Sequence, residues 1–81
     1  MNDDREFQYL RQRICQAVGR RISELRQKKG LTPAQLALQS NLDESQLVAI
    51  EQGERELTLL PLLAITEQLN TSVHHLLKGI A

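Results

Sequence analysis

The 81 residues carry ten Lys and Arg against ten Asp and Glu, which gives a formal net charge of +0, and 41% of them are hydrophobic. This size fits one domain, and this hydrophobic fraction is too high for a disordered tail. The single Cys15 excludes an intrachain disulfide framework, and no apolar run approaches the roughly 20 residues of a membrane span. The start has no basic, apolar character, so we expect no secretory signal. The single cysteine indicates a reducing compartment, the cytoplasm.

The balanced charge conceals a split along the chain. Residues 1–30 hold eight Lys and Arg against four Asp and Glu, a balance of +4, whereas residues 31–81 hold two against six, a balance of −4. Bulk positive charge, the simplest indication of a nucleic-acid partner, is therefore missing. The asymmetry is a hint of a polyanionic partner or of self-association between unlike faces, but the charge distribution alone favours a solvated helix face.

The first predicted element is a long helix from about residue 4 to residue 29. Its apolar residues recur at steps of three or four, which places them on one stripe: Phe7, Leu10, Ile14, Val18, Ile22 and Leu25. Gly30 is a good helix stop. Gly19, inside this helix, costs about 1 kcal/mol relative to Ala and suggests a bend or a junction with an accessory N-terminal segment.

Two short helices follow, each announced by a capping signal. Thr32 with Gln35 begins the first, and Asp43 with Gln46 begins the second. Asn41, which tolerates left-handed backbone, lies between them. A turn of about three residues between two short helices is the arrangement of a helix-turn-helix.

The rest of the chain predicts two more helices. One begins at Thr58 and ends at Asn70, and a short one is capped by Ser72 and continues through Leu77. No run of residues alternates apolar and polar side chains as a strand does. The predicted fold class is therefore all-α, with five helices and a first helix extended at its N-terminus.

Within this pattern, Leu36-Ala37 is followed at a characteristic distance by Ile50-Glu51-Gln52-Gly53. With the surrounding leucines, the string resembles the Cro/phage-repressor (XRE-type) helix-turn-helix family. The resemblance implies a five-helix, repressor-like domain over residues 18–78, with the helix-turn-helix proper at 32–52 and a helical extension at 1–17. It also implies a small bacterial or phage-type transcription regulator that binds double-stranded operator DNA as a dimer, with the third helix in the major groove.

The resemblance places the DNA-contacting residues along the third helix and at the flanks of the motif. The base-side residues are Glu44, Ser45, Gln46 and Ala49, and the backbone-side residues are Thr32, Gln35 and Arg55. A Glu accepts from the cytosine amino group, an Ala methyl contacts a thymine methyl, and Ser and Gln read base edges or phosphates.

Two departures from the family pattern leave a second function open. Pro33 stands where the family usually has a phosphate-binding Gln, and Asp43 with Glu44 begins the third helix where relatives are often neutral or basic. Carboxylates there repel the phosphates of a duplex. The alternative is a helix-turn-helix fold used as a protein-interaction module with weak or no DNA binding, docking a partner through the acidic third helix or the Leu-rich fourth helix.

The family resemblance also implies a structural ion pair, between Arg26 in the first helix and Glu51 in the third. Burial of such a pair would fix the orientation of the third helix. Apolar residues exceed what the helical bundle can enclose, and this excess predicts a homodimer interface at Leu60, Leu63, Leu77 and Ile80. Phe7, Leu10 and Ile14 extend the apolar stripe beyond the five-helix unit, so they fold back onto it or pair with a second chain.

No catalytic or cofactor chemistry is visible in the sequence. Cys15 has no orienting partner for a reactive thiol, and His74 with His75 lacks the spacing of a metal-binding pair. The four glycines are scattered, so no loop cradles a phosphate. We therefore expect neither an enzyme, a cofactor nor a metal site.

Overall fold

The computed structural model describes residues 4–80, and five α-helices follow one another within them. They are α1 (Asp4–Lys28), α2 (Pro33–Gln39), α3 (Glu44–Glu51), α4 (Leu59–Gln68) and α5 (Val73–Leu77). The described residues hold no strand, and the predicted all-α class is confirmed. None of these helices has the length and apolar character that a bilayer crossing requires. The first three residues of the predicted extension lie outside the described part of the chain.

Local signals in the sequence begin and end the helices. The Thr32 side chain accepts a hydrogen bond from the Gln35 backbone N–H at 3.1 Å, and the Thr32 N–H donates to Gln35 Oε1 at 2.8 Å. The Asp43 N–H donates to Gln46 Oε1 at 2.9 Å in the same way. Asn41 follows α2 with a φ of 59°, in the left-handed region that Asn tolerates best after Gly. The predicted starts of both short helices are confirmed.

The core is aliphatic and lies where α1 meets the other helices. α1 packs against α3 and α5, α2 packs against α3 and α4, and α4 packs against α5. Nine buried side chains form one cluster: Val18, Ile22, Leu36, Ala37, Leu47, Ile50, Ile65, Leu69 and Leu76. Each helix contributes to this cluster, so α3 is held rigidly from its inner side.

Helix α1 runs through Gly19 without interruption, so this glycine does not separate the extension from the domain. Its role is close packing. A Cβ atom at Gly19 would collide with the Ile50 carbonyl oxygen and lie 2.6 Å from the Glu51 carbonyl oxygen. Gly19 therefore lets the backbone of α1 approach the C-terminal end of α3.

The N-terminal part of α1 leaves its apolar stripe largely open. Phe7 is 60% exposed, Leu10 48% and Ile14 38%. Arg11 in this segment forms an ion pair with Glu56, with 3.6 Å between Nη1 and Oε2. The stripe therefore does not fold back into the core, although the segment is tied to the loop after α3.

Candidate nucleic-acid interface

The helix-turn-helix consists of α2, the turn at 40–43 and α3. The Ser40 N–H donates to the Leu36 carbonyl at 2.9 Å, and the Leu42 N–H donates to the Ala37 carbonyl at 2.8 Å. These bonds satisfy carbonyls at the end of α2 and bring the chain round to Asp43. Leu36 and Ala37 are buried beneath the turn, so the sequence pair that carried the resemblance packs the two helices together.

Helix α3 has one face buried against the core and one face exposed to solvent, the presented face. Leu47 and Ile50 are 0% and 3% exposed. Glu44 and Ser45 are exposed, whereas Gln46 and Ala49 are half-buried. The base-side residues thus occupy one end of α3 but are not equally accessible.

The presented face of α3 also includes two residues that sequence reasoning left out of the base-side set. Val48 is half-buried and Gln52 is exposed. Both lie on the same side as Ser45, at steps of three and four residues. The same helical periodicity applied to the sequence would have found them. Gln52 adds an amide at the C-terminal end of this face.

Two glutamines of the motif are already engaged in helix capping. The Oε1 atoms of Gln35 and Gln46 accept from the backbone N–H groups of Thr32 and Asp43. A glutamine amide has two donors beside its acceptor oxygen, so the Nε2 hydrogens of both side chains remain for other contacts. Capping thus fixes the oxygen of each side chain and leaves its amide hydrogens for other partners.

The backbone-side residues lie at two separate places. Thr32 and Gln35 are exposed at the start of α2, and Arg55 is exposed in the loop between α3 and α4. Arg55 shares a groove with Gln8, Arg11 and other residues of the extension. Gly53 holds this loop close to α1 with a φ of 74°, and a Cβ there would lie 2.7 Å from the Cα of Gln16.

The basic residues of α1 are partly occupied by contacts within the chain. Arg21 Nη1 donates to the Leu76 carbonyl at 2.9 Å, at the C-terminal end of α5. Arg20 is exposed beside Ile80 and the extension, in a groove formed without α3.

Arg26 and Glu51 form a two-pronged ion pair between α1 and α3. Arg26 Nε donates to Glu51 Oε2 at 2.7 Å, and Nη2 donates to Oε1 at 3.1 Å. Nη1 also donates to the Leu31 carbonyl at 2.8 Å. The side chains are only 11% and 9% exposed, so the pair is bidentate, hydrogen-bonded and largely desolvated.

The residues expected at a dimer interface lie on the outer surface of α4 and at the C-terminus. Leu60 is 76% exposed, Leu63 44% and Leu77 42%. Ile80 is half-buried. Leu77 also lines an apolar groove with Phe7 and Leu10 of the extension. Large exposed apolar side chains in such number are typical of a contact surface.

Comparison with known proteins places this geometry in a family. The profile of a family described as helix-turn-helix matches residues 22–76. The chain is similar to the solved structure of the restriction-modification controller protein C.AhdI from Aeromonas hydrophila, at 34% identity and a TM-score of 0.74, over 76% of this chain and 94% of that one. It is also similar to the clp gene regulator ClgR from Corynebacterium glutamicum, at 28% identity and a TM-score of 0.76, over 79% and 68%. No curated protein is similar enough to count as a match.

The family match covers more than half of the chain and includes α2, the turn and α3. The structures it resembles are of regulators rather than of enzymes. Within residues 4–80, no group of His, Cys, Asp and Glu residues has the arrangement of a metal site. The chain belongs to the XRE-type helix-turn-helix family of DNA-binding transcriptional regulators.

Proposed function

We propose that the chain binds operator DNA as a dimer, with α3 in the major groove. The observation that carries this proposal is the division of α3 into a buried face, with Leu47 and Ile50, and a presented face, with Glu44, Ser45 and Ala49. A recognition helix needs a fixed inner side and an outer side of small and polar groups that reach base edges. Family membership supports the same conclusion.

The residues take different roles in this arrangement. Ser45 and Gln46 contact base edges, Ala49 contacts a thymine methyl, and Glu44 accepts from a cytosine amino group. Because Gln46 Oε1 is engaged by the Asp43 N–H, its amide hydrogens are directed to acceptors such as those of guanine.

Three residues position the protein on the sugar-phosphate backbone. They are Thr32 and Gln35 at the start of α2, and Arg55 after α3, all exposed. Hydroxyl, amide and guanidinium donors suit phosphate oxygens and carry no sequence information themselves.

The dimer joins two copies through Leu60, Leu63, Leu77 and Ile80. The exposure of the three leucines in the single chain supports this role. A twofold dimer reads two half-sites about one helical turn apart, so the operator is a palindrome. As a regulator of transcription, the dimer acts in the cytoplasm, where a bacterial or phage operator lies.

The test is a titration of the full chain against pooled random duplex DNA at about 50 mM and about 200 mM salt, with sequencing of the bound fraction. We expect a palindromic consensus.

Ser45→Ala and Gln46→Glu should change the preferred base at one position of each half-site, and Gln46→Glu keeps the capping acceptor. Arg55→Gln should weaken all sequences together and make the salt slope shallower by about 2, because the dimer loses one phosphate contact in each copy. Gln27→Glu, exposed on α1, is the matched control and should bind as the wild type does.

A second function is favoured by one feature of the same surface. Leu38, on α2, is 81% exposed, and Asp43 and Glu44 follow at the start of α3. A motif that exposes both an apolar side chain and carboxylates suits a protein partner with a basic rim better than a duplex. Absence of duplex binding even at low salt would contradict DNA recognition and favour this protein-interaction module.

A further inference from the structure

The N-terminal extension, residues 4–17 of α1, lies outside the residues that match the family. Phe7, Leu10 and Ile14 are spaced by three and four residues, so they form one stripe on the helix. All three are substantially exposed, from 60% at Phe7 to 38% at Ile14. A lone exposed apolar residue needs no explanation, but an aligned set on one helix face indicates a contact surface.

The stripe is continuous with the surface proposed for the dimer. It forms one side of an apolar groove of about 450 Å³, whose other side is made by Leu57, Leu62 and Leu77. Leu77 belongs to the proposed dimer surface. A partner that covers α4 and α5 therefore meets the extension as well.

Charged residues beside the stripe indicate which partner fits. Glu6 and Arg13 are seven residues apart, so they lie on the same flank, separated by about 10 Å along the helix. The Arg13 guanidinium lies 5.8 Å from the centre of the Tyr9 ring, a contact that leaves its N–H groups available. Glu6 takes part in no ion pair within residues 4–80. Arg11, on the other flank, is already paired with Glu56.

Consider two copies of α1 related by a twofold axis that is perpendicular to both helices and lies midway between the levels of Glu6 and Arg13. This arrangement pairs both charges at once. It runs the two helices antiparallel and places Glu6 of each copy beside Arg13 of the other. An in-register parallel arrangement would instead place Glu6 of one copy level with Glu6 of the other, and Arg13 level with Arg13, so that neither charge meets an opposite one. The stripe and its flank therefore suit an antiparallel copy of the same segment.

We propose that residues 4–17 of α1 pair antiparallel with the same segment of a second copy, covering Phe7, Leu10 and Ile14 and joining Glu6 to Arg13 between chains. This inference rests on the proposed dimeric function and adds a second element to its interface. The extension then strengthens the dimer without contacting DNA.

The test is a charge swap in the full chain, with the dimer dissociation constant measured by sedimentation velocity over a concentration series. Glu6→Arg and Arg13→Glu should each raise the Kd by about three- to tenfold, since each places like charges together. The double variant should return to within about twofold of the wild type, because the swapped charges are complementary again. These differences should shrink at about 1 M salt.

Two further variants separate this pairing from general effects of charge. Leu10→Glu should raise the Kd by about tenfold or more, because it buries a charge in the proposed contact. Gln12 is exposed on the opposite face of the helix, so Gln12→Glu and Gln12→Arg should leave the Kd unchanged. Circular dichroism checks that each variant remains helical.

The pairing is overturned if the double variant is as weak as the singles combined, or if Leu10→Glu leaves the Kd unchanged. A wild-type chain that stays monomeric at high micromolar concentration also overturns it and assigns the stripe to a different protein. Duplex binding is measured separately on the same samples. If the dimer binds DNA but its Kd does not change with the charge swap, only this inference is defeated. If the Kd changes with the swap but the dimer binds no duplex, only the proposed function is defeated.

Discussion

Gly19 shows how the meaning of a residue changes between an isolated helix and the folded chain. In a helix alone, Gly costs about 1 kcal/mol relative to Ala, so replacement by Ala would stabilise it. In the structure, a Cβ at this position would meet the Ile50 and Glu51 carbonyl oxygens. Those oxygens are backbone atoms and cannot rotate away as a side chain can, so the steric cost exceeds the gain in helix propensity.

Gly19→Ala should therefore destabilise the protein by about 1–3 kcal/mol, the usual range for overpacking. The measurement is urea denaturation followed by far-ultraviolet circular dichroism. Gln12→Ala, exposed in the same helix, is the control and should change stability by less than about 0.5 kcal/mol. A Gly19→Ala protein more stable than the wild type would show that α1 does not approach α3 closely.

At the scale of the helices, what could be predicted from sequence depended on how local the cause was. The starts of α2 and α3 follow from Thr32 with Gln35 and Asp43 with Gln46, pairs three residues apart. The contact of Arg21 with the Leu76 carbonyl joins residues 55 positions apart and left no signal in either segment. The capping interaction of Gln46 is local and could be predicted from the sequence. Only the hydrogen bond seen in the structure shows which Gln46 atoms remain available for DNA.

The Arg26–Glu51 pair is the polar link between α1 and α3, and it lies next to the Gly19 approach. We propose that it fixes the orientation of α3 relative to the rest of the domain. Since both side chains are about one-tenth exposed, removing one partner leaves a charge largely desolvated. Glu51→Leu alone should cost about 3–5 kcal/mol.

A double-mutant cycle with Arg26→Met, Glu51→Leu and the double variant measures this link. The double variant should recover much of the stability lost in Glu51→Leu, because two apolar groups replace the pair without stranding a charge. The DNA selectivity of the double variant tests the positioning role. If the pair orients α3, the double variant should be stable but should discriminate poorly between operator and random duplex. A coupling energy of a few tenths of a kcal/mol would contradict the link.

Over the whole molecule, the attraction for phosphate depends less on the net charge of +0 than on which charged side chains are already in contact with others. Several cations of the basic first 30 residues are engaged by partners within the chain: Arg11 contacts Glu56, Arg21 contacts the Leu76 carbonyl, and Arg26 contacts Glu51. Arg55 is the one basic residue among the proposed DNA contacts. The attraction of this surface for phosphate is therefore weak, and shape and base contacts must supply more of the binding.

This charge arrangement predicts shallow salt dependence and a specific effect of Glu44. The plot of log K against log salt should have a slope no steeper than about −3, the value for about three neutralised phosphates. Glu44→Gln removes a negative charge from the presented end of α3, so affinity for all duplexes should rise several-fold at low salt and less at high salt. The ratio of operator to random-duplex affinity should fall, because the charged acceptor for the cytosine amino group is replaced by a weaker, neutral amide oxygen.

Two controls separate the effect of Glu44 on DNA from other effects of charge. Glu67→Gln makes the same change at an exposed position on α4 and should leave binding unaltered. Because Glu44 stands in the first turn of α3, where carboxylates suit the helix dipole, Glu44→Gln should also cost about 0.3–1 kcal/mol of stability. Tighter binding by a slightly less stable protein cannot arise from a better-folded domain, so it would place Glu44 at the duplex. Equal affinities for Glu44→Gln and the wild type at low salt would instead place the acidic end of α3 away from DNA.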